Sequence, residues 1–264
     1  MKTIVITGGS SGIGAAAARA LRAQGHTVVI TGRSAETTHL AQLIGADSYL
    51  VDYAKLSDVR ALAEKLLAKY PRIDVLANNV GGVIHQRQLT GDGHEKTFQV
   101  NHLGGFLLTK LLRERLEASN ATIINTASGA HRVGRLDLDD LENARRYSPM
   151  RAYGTGKLMN ILHAAELNRR FKGVRAVSFH PGVVATGFAR EGSSLLRAAY
   201  GGLLSKLFMI TPEQGADTLI WLSTTESWTP GEFYIKRKIA SKSRQAGDAD
   251  LARRLWDASE KMLR

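Results

Sequence analysis

The chain has 264 residues, 44% of them hydrophobic and 23% charged, with 26 glycines and a formal net charge of +12. This length suits one large domain with a well-buried core, and this composition excludes a disordered chain. The absence of cysteine excludes disulfides, thiolate nucleophiles and zinc–thiolate sites, so redox chemistry would require an external cofactor.

Met1 and Lys2 run straight into a β-like segment, 3–7 (TIVIT), with no room for a secretory signal, and a cytoplasmic protein is expected. The glycine-rich stretch TGGSSGIG (7–14) follows and opens an alanine-rich helical pattern over 13–24. Strand, glycine turn and helix in that order form a dinucleotide cradle. Gly8 permits the tight turn, Gly12 a close approach of backbone to pyrophosphate, and Gly14 close helix–strand packing, with Ile13 between them at the helix N-terminus. The spacing TGxxxGxG differs from the commoner GxGxxG and from the TGxxGxxG of sugar-nucleotide epimerases.

A second strand, 27–31 (TVVIT), ends at Gly32 and Arg33, with no acidic residue until Glu36. Sites that take NAD tend to carry an acid here, so NADP(H) is favoured over NAD(H). Arg33 supplies a cation for the 2′-phosphate, with Ser10 and Ser11 as hydroxyl donors. The alternative for Arg33 is a solvated loop charge. A third strand, 48–52 (SYLVD), ends on Asp52, a helical pattern covers 57–70, and a fourth strand, 73–78 (IDVLAN), runs into NNVGG (78–82). A long helix over 95–116 carries Asn101 at a position where asparagine has no local advantage.

The fifth strand, 121–127 (ATIINTA), delivers Ser128 to the end of the sheet, where doubly wound folds bind ligands. Its hydroxyl can hydrogen-bond a substrate carbonyl, or it can cap a turn. In YGTGK (153–157), Tyr153 and Lys157 stand four positions apart on one helix face. A neighbouring ammonium favours the phenolate, so the expectation is a lowered tyrosine pKa. A sixth strand, 174–179 (VRAVSF), precedes Pro181, Gly182 and Thr186. Residues 188–212 then read either as a lid over the site or as a surface helix and loop, and Leu195, Leu196, Tyr200, Leu204 and Phe208 either line an apolar pocket or belong to the core.

Alternating strands and helices imply right-handed crossovers and an α/β fold: one domain over 1–264, a doubly wound parallel sheet of Rossmann type with about seven strands and helices on both faces. Lys and Arg are scattered rather than clustered with aromatics, so no nucleic-acid partner is expected. The basic tail over 236–264 leaves weak contact with an anionic membrane surface open. The eight histidines show no HExxH or other ligand spacing, and no metal is expected.

Taken together, TGGSSGIG, Asp52, NNVGG, Asn101, Ser128, YGTGK and the Pro181-Gly182 pair with Thr186 resemble the short-chain dehydrogenase/reductase family over nearly the whole chain. VNHLGGFLLTKLL (100–112), AYGTGKLMNILHAAEL (152–167) and LARRLWDASEKML (251–263) resemble its retinol-dehydrogenase-like branch, which includes the oxidoreductase module of the WW-domain proteins. The 25-residue interval from Ser128 to Tyr153 is similar to that branch, so the insert over 135–150 reads as a branch trait.

The resemblance implies an NAD(P)-dependent oxidoreductase that interconverts a carbonyl and an alcohol on a small, lipophilic or aromatic substrate. It implies that Tyr153 gives or takes the substrate proton, that Ser128 orients the carbonyl, that Lys157 also holds the nicotinamide ribose, and that Asn101 holds a water in a proton relay. It further implies that Asp52 contacts the adenine amino group, that Asn78, Asn79 and Gly81 lie near the adenosine ribose, with Val80 where the family has alanine, and that Thr186 reaches the carboxamide. Homodimer and homotetramer both stay open. The alternative function is a non-catalytic dinucleotide sensor, a class that typically lacks the tyrosine or the lysine; both are present here.

Overall fold

The computed structural model describes residues 1–182 and 210–264. Among the described residues, eight strands form one sheet: β1 (Thr3–Ile6), β2 (Thr27–Gly32), β3 (Asp47–Leu50), β4 (Val75–Asn78), β5 (Thr122–Thr126), β6 (Arg175–His180), β7 (Phe233–Ile235) and β8 (Lys238–Ile239). Their spatial order is β3-β2-β1-β4-β5-β6-β7-β8, parallel throughout except for the antiparallel β7–β8 edge. The order reverses between β1 and β4, which creates the crevice where ligands bind in such sheets.

The apolar strand runs are continuous because the sheet is covered on both faces. Side chains alternate along each strand: Val5, Val29, Leu76 and Ile123 enter one core, whereas Ile4, Ile6, Ile30 and Ile124 enter the other. The first core is closed by α3 (Leu56–Lys69), α5 (Gly104–Leu111) and α7 (Pro149–Arg170), the second by α1 (Gly12–Ala23), α2 (Ala35–Ile44) and α8 (Pro212–Thr224). Thr211 and Gln214 form a reciprocal capping box that starts α8, with Pro212 in its first turn.

The structure departs from the sequence pattern in three places. The strand expected over 48–52 stops at Leu50, which puts Asp52 in the following turn. β7 and the edge strand β8, of three and two residues, are too short to give a periodic signal. The single helix expected over 95–116 is divided into α4 (Lys96–Phe98), a π-helical turn (Gln99–Leu103), α5 and α6 (Arg113–Ala118). In that turn the Gly104 N–H donates to Gln99 O, five residues back, and the Asn101 side chain donates to Thr97 O, the carbonyl its own backbone would bond in an α-helix.

The C-terminal helix α9 (Ala249–Met262) packs across α5 and α7. Trp256, 4% exposed, stands edge-on to Phe106 at 4.7 Å between ring centroids and packs beside His163 and Phe171, with the Arg170 guanidinium 5.1 Å over its ring. Around this anchor, Ser259 Oγ meets His102 Nε2 at 3.0 Å, and Glu260 and Asp257 pair with Lys110 and Arg170. Trp256→Ala should remove about 3–5 kcal/mol of stability, read as a lower urea midpoint, because a large ring leaves a cavity that its aromatic neighbours cannot fill. A loss below about 1 kcal/mol would show that α9 is not anchored there.

Candidate active site

The turn after β1 is shaped to accept an anion. Gly8 and Gly12 have φ of +65° and +53°, conformations that a side chain would strain. A Cβ at Gly14 would lie 2.2 Å from Gly8 O and 2.9 Å from Asn79 Nδ2, so the start of α1 presses directly against the turn. The helix N-terminus, with its free N–H groups, thus opens onto the turn where a pyrophosphate would bind. Asn79 sits beneath: its Nδ2 donates to Thr7 O and Gly8 O at 3.1 and 3.2 Å, and its Oδ1 accepts from Thr126 Oγ1 at 3.0 Å. Asn79 therefore acts on the cradle's shape. Asn78 faces the helix side instead, donating to Thr109 Oγ1 and Asn125 Oδ1.

At the end of β2, a Cβ on Gly32 would lie 2.4 Å from Thr37 Oγ1 and 3.0 Å from Ser10 Oγ. This close fit brings Ser10 against Gly32, the residue before the exposed Arg33, while Ser11 is exposed at the head of α1. One carboxylate oxygen of Asp52 accepts the Ala54 N–H at 3.0 Å and so forms the turn. Gly182 has φ of +96° after Pro181. Thr186, Leu195, Leu196, Tyr200, Leu204 and Phe208 lie outside the described residues, as does the stretch 188–212 except for its last three.

Ser128, Tyr153, Lys157 and Asn101 converge from three elements: the turn after β5, α7 and the π turn. Ser128 follows β5 and opens the 3-10 turn Gly129–Arg132, where its Oγ accepts the Ala130 N–H at 3.1 Å. Tyr153 and Lys157 come from α7, which crosses that turn closely: a Cβ at Gly154 would lie 2.5 Å from Ala130 O, and one at Gly134 would lie 2.4 Å from the Gly154 carbonyl. Gly154, the first glycine of YGTGK, thus lets α7 pack onto the turn that carries Ser128. The Ser128 side chain acts on the Tyr153 phenol, lowering its pKa.

Lys157 is 3% exposed, and its Nζ donates to Thr126 O at 3.1 Å with the Tyr153 ring centroid 5.5 Å away. Burial pushes its pKa down to about 8. Burial also raises the Tyr153 pKa, against the lowering effect of the Ser128 hydrogen bond. The expected lowering by Lys157 is therefore reversed: the ammonium is directed at Thr126 O and is itself poorly solvated, so desolvation of the phenolate dominates.

Asn101 clamps the loop after β4. Its Oδ1 accepts the Gly82 N–H and its Nδ2 donates to Gly82 O, each at 3.0 Å, while a second Nδ2 hydrogen goes to Thr97 O. One Oδ1 lone pair is left for a water. A Cβ on Gly81 would lie 2.5 Å from Asn101 Oδ1 and 2.7 Å from Lys157 Nζ, so this loop, the π turn and α7 meet at one point. Two features escaped sequence reading: the π turn under Asn101, which has no compositional signal, and His131, whose ring contacts the Ser128 carbonyl. His180 ends β6 with its ring against Gly129.

The family profile described as short chain dehydrogenase matches residues 2–194. A Streptomyces sp. (strain C5) protein named "Putative daunorubicin C-13 ketoreductase DnrU" is 45% identical over 98% of this chain and 91% of its own length. Retinol dehydrogenase 11 of Homo sapiens is 38% identical over 99% of this chain and 86% of its own length. A crystal structure of an uncharacterized protein from Mycobacterium Paratuberculosis superimposes with a TM-score of 0.80 at 31% identity, covering 99% of this chain and 93% of that one.

The buried lysine gives a pH-dependent stability test. Its folded pKa is about 8 against 10.5 ordinarily, so the unfolded chain binds more protons between those values and the cost of burial is full below pH 8 and gone above 10.5. Thr126 O keeps a donor in Asn160 Nδ2 at 3.1 Å if the lysine is removed. Lys157→Met should therefore stabilise the cofactor-free protein at pH 7 by about 1–3 kcal/mol, the advantage over wild type shrinking as pH rises through 8–10.5. Calorimetry of both proteins across that range checks it, and a pH-independent difference would contradict it.

Proposed function

The chain belongs to the short chain dehydrogenase family, in its retinol-dehydrogenase-like branch, and is an NAD(P)-dependent oxidoreductase acting on CH–OH or C=O groups; from this premise we propose an NADP(H)-dependent reductase of lipophilic or aromatic carbonyl compounds. The observation that carries the reading is the Ser128–Tyr153 hydroxyl pair above the buried Lys157, at the C-terminal ends of β5 and its neighbours. The relatives' names, a daunorubicin ketoreductase and a retinol dehydrogenase, support a reaction between a carbonyl and an alcohol.

In this reading TGGSSGIG, Arg33, Asp52 and the 79–82 loop hold the dinucleotide. When bound, NADPH supplies the hydride. Ser128 donates a hydrogen bond to the substrate carbonyl oxygen and fixes it near Tyr153. Tyr153 transfers its hydroxyl proton to that oxygen as the carbon is reduced, giving the alcohol and a tyrosinate. The raised pKa of Tyr153 keeps the proton in place at neutral pH, the state a reduction requires. Lys157, a group titrating at about 8, returns a proton to the tyrosinate by way of water held near Asn101. Lys157 would also contact the ribose, and Pro181 and Gly182 would close the nicotinamide end.

Tyr153→Phe keeps the ring's packing but removes the proton donor. NADPH affinity should stay within about twofold while ketone turnover falls by roughly three orders of magnitude or more. Wild-type-like turnover in this variant would remove Tyr153 from the reaction.

Cofactor choice rests on Arg33. A charge-assisted bond to the 2′-phosphate is worth about 1.5–3 kcal/mol, so Arg33→Ala should raise KM for NADPH and lower the NADPH-over-NADH preference roughly ten- to a hundredfold, with KM for NADH almost unchanged. Equal use of both cofactors by the wild type, or an unaltered preference in the variant, would refute the assignment.

A further inference from the structure

The 3-10 turn that presents Ser128 is held by a buried ring. His131 is 1% exposed, with Nδ1 2.7 Å from Ser128 O and Nε2 3.2 Å from the backbone N of Ser243. A backbone N–H can only donate, so Nε2 accepts, and the ring proton sits on Nδ1 and donates to the Ser128 carbonyl. The two partners thus fix one tautomer. The ring stands edge-on to Phe233 of β7 at 5.0 Å and 70°, so it has no freedom to turn away. Arg132, next in the chain, donates to Ser241 O and Oγ at 2.7 Å each, a second tie to the same C-terminal segment. The Ser128 carbonyl also accepts the His131 N–H at 3.1 Å, so the ring bond closes onto the turn that directs the Ser128 hydroxyl.

We infer that His131 is a positioning residue: by bonding Ser128 O on one side and Ser243 N–H on the other, it makes the place of the Ser128 hydroxyl relative to Tyr153 depend on residues 240–245, more than a hundred positions away in the chain. The inference rests on the reading of Ser128 as the group that orients the carbonyl. Burial, and to a lesser degree Arg132, lower the His131 pKa, with the Ser128 carbonyl opposing them, so the ring is neutral at pH 7, as its bond from Ser243 requires. His180 is the other titratable group facing it, and its pKa is likewise lowered by burial.

The two nitrogens can be separated by substitution. An asparagine amide reaches the place of Nδ1 and can keep the Ser128 bond; a glutamine amide reaches the place of Nε2 and keeps only the Ser243 bond. In ketone reduction with NADPH, His131→Gln should lower kcat about tenfold or more while the NADPH dissociation constant, measured by fluorescence, is unchanged, and His131→Asn should recover most of that loss. In a Ser128→Ala background, His131→Gln should cost little further, since both act through one hydroxyl. Equal losses in the two variants, or a loss that adds in full to that of Ser128→Ala, overturns the positioning role. Nitrogen-15 NMR of labelled histidine tests the bridge without turnover: an Nδ1–H tautomer at pH 7.5 is expected, and an Nε2–H tautomer or imidazolium overturns it. Absence of any ketone turnover by the wild type would instead sink the reaction, leaving the tautomer to decide the bridge.

Discussion

A lysine amino group kept from water, with no carboxylate beside it among the described residues, constrains the rest of this site. Lys157 Nζ has one carbonyl partner, Thr126 O, and is otherwise enclosed by Gly81, Asn101 and the Tyr153 ring. Desolvation of an ammonium is costly unless its hydrogens find acceptors. The surrounding backbone is accordingly drawn in: Gly81 has no room for a side chain, and Asn101 is fixed by three hydrogen bonds. A cofactor ribose would add hydroxyl acceptors to the same amino group, so ligand binding would relieve a cost already present in the fold.

The strands and the order of motifs were legible because the physics behind them is local. Buried strands need unbroken apolar runs, and a parallel sheet needs a helix between each pair, so 3–7, 27–31, 73–78, 121–127 and 174–179 could be read from their residues alone. The glycine turn was legible for a similar reason: φ at Gly8 and Gly12 is a property of those residues. Close approach of YGTGK to Gly134 involves two segments, and no single window of sequence contains it.

What escaped was set by partners distant in the chain. The helix around Asn101 has ordinary helical spacing, and its π turn goes with the capture of the Thr97 carbonyl by the Asn101 side chain. Asp52 leaves β3 because it forms a turn with Ala54. The Tyr153 pKa was misjudged from spacing, which gives proximity to Lys157 but neither the burial of both nor the direction of the amino group. His131 looked like one of eight dispersed histidines until Ser243 was brought against it.

The crossing of α7 over the 3-10 turn has a consequence for how this region can change. At most helix contacts a larger side chain on one element can be accommodated by a smaller one on the other. Between Gly134 and Gly154 that exchange is closed, because each added Cβ would meet the other segment's backbone rather than its side chain. Neither position can vary while its partner adjusts, and a correlated pair of substitutions here has no compensating solution short of moving the helix, and Tyr153 with it. The contact that joins Tyr153 to Ser128 is therefore one that covariation between residues would not reveal.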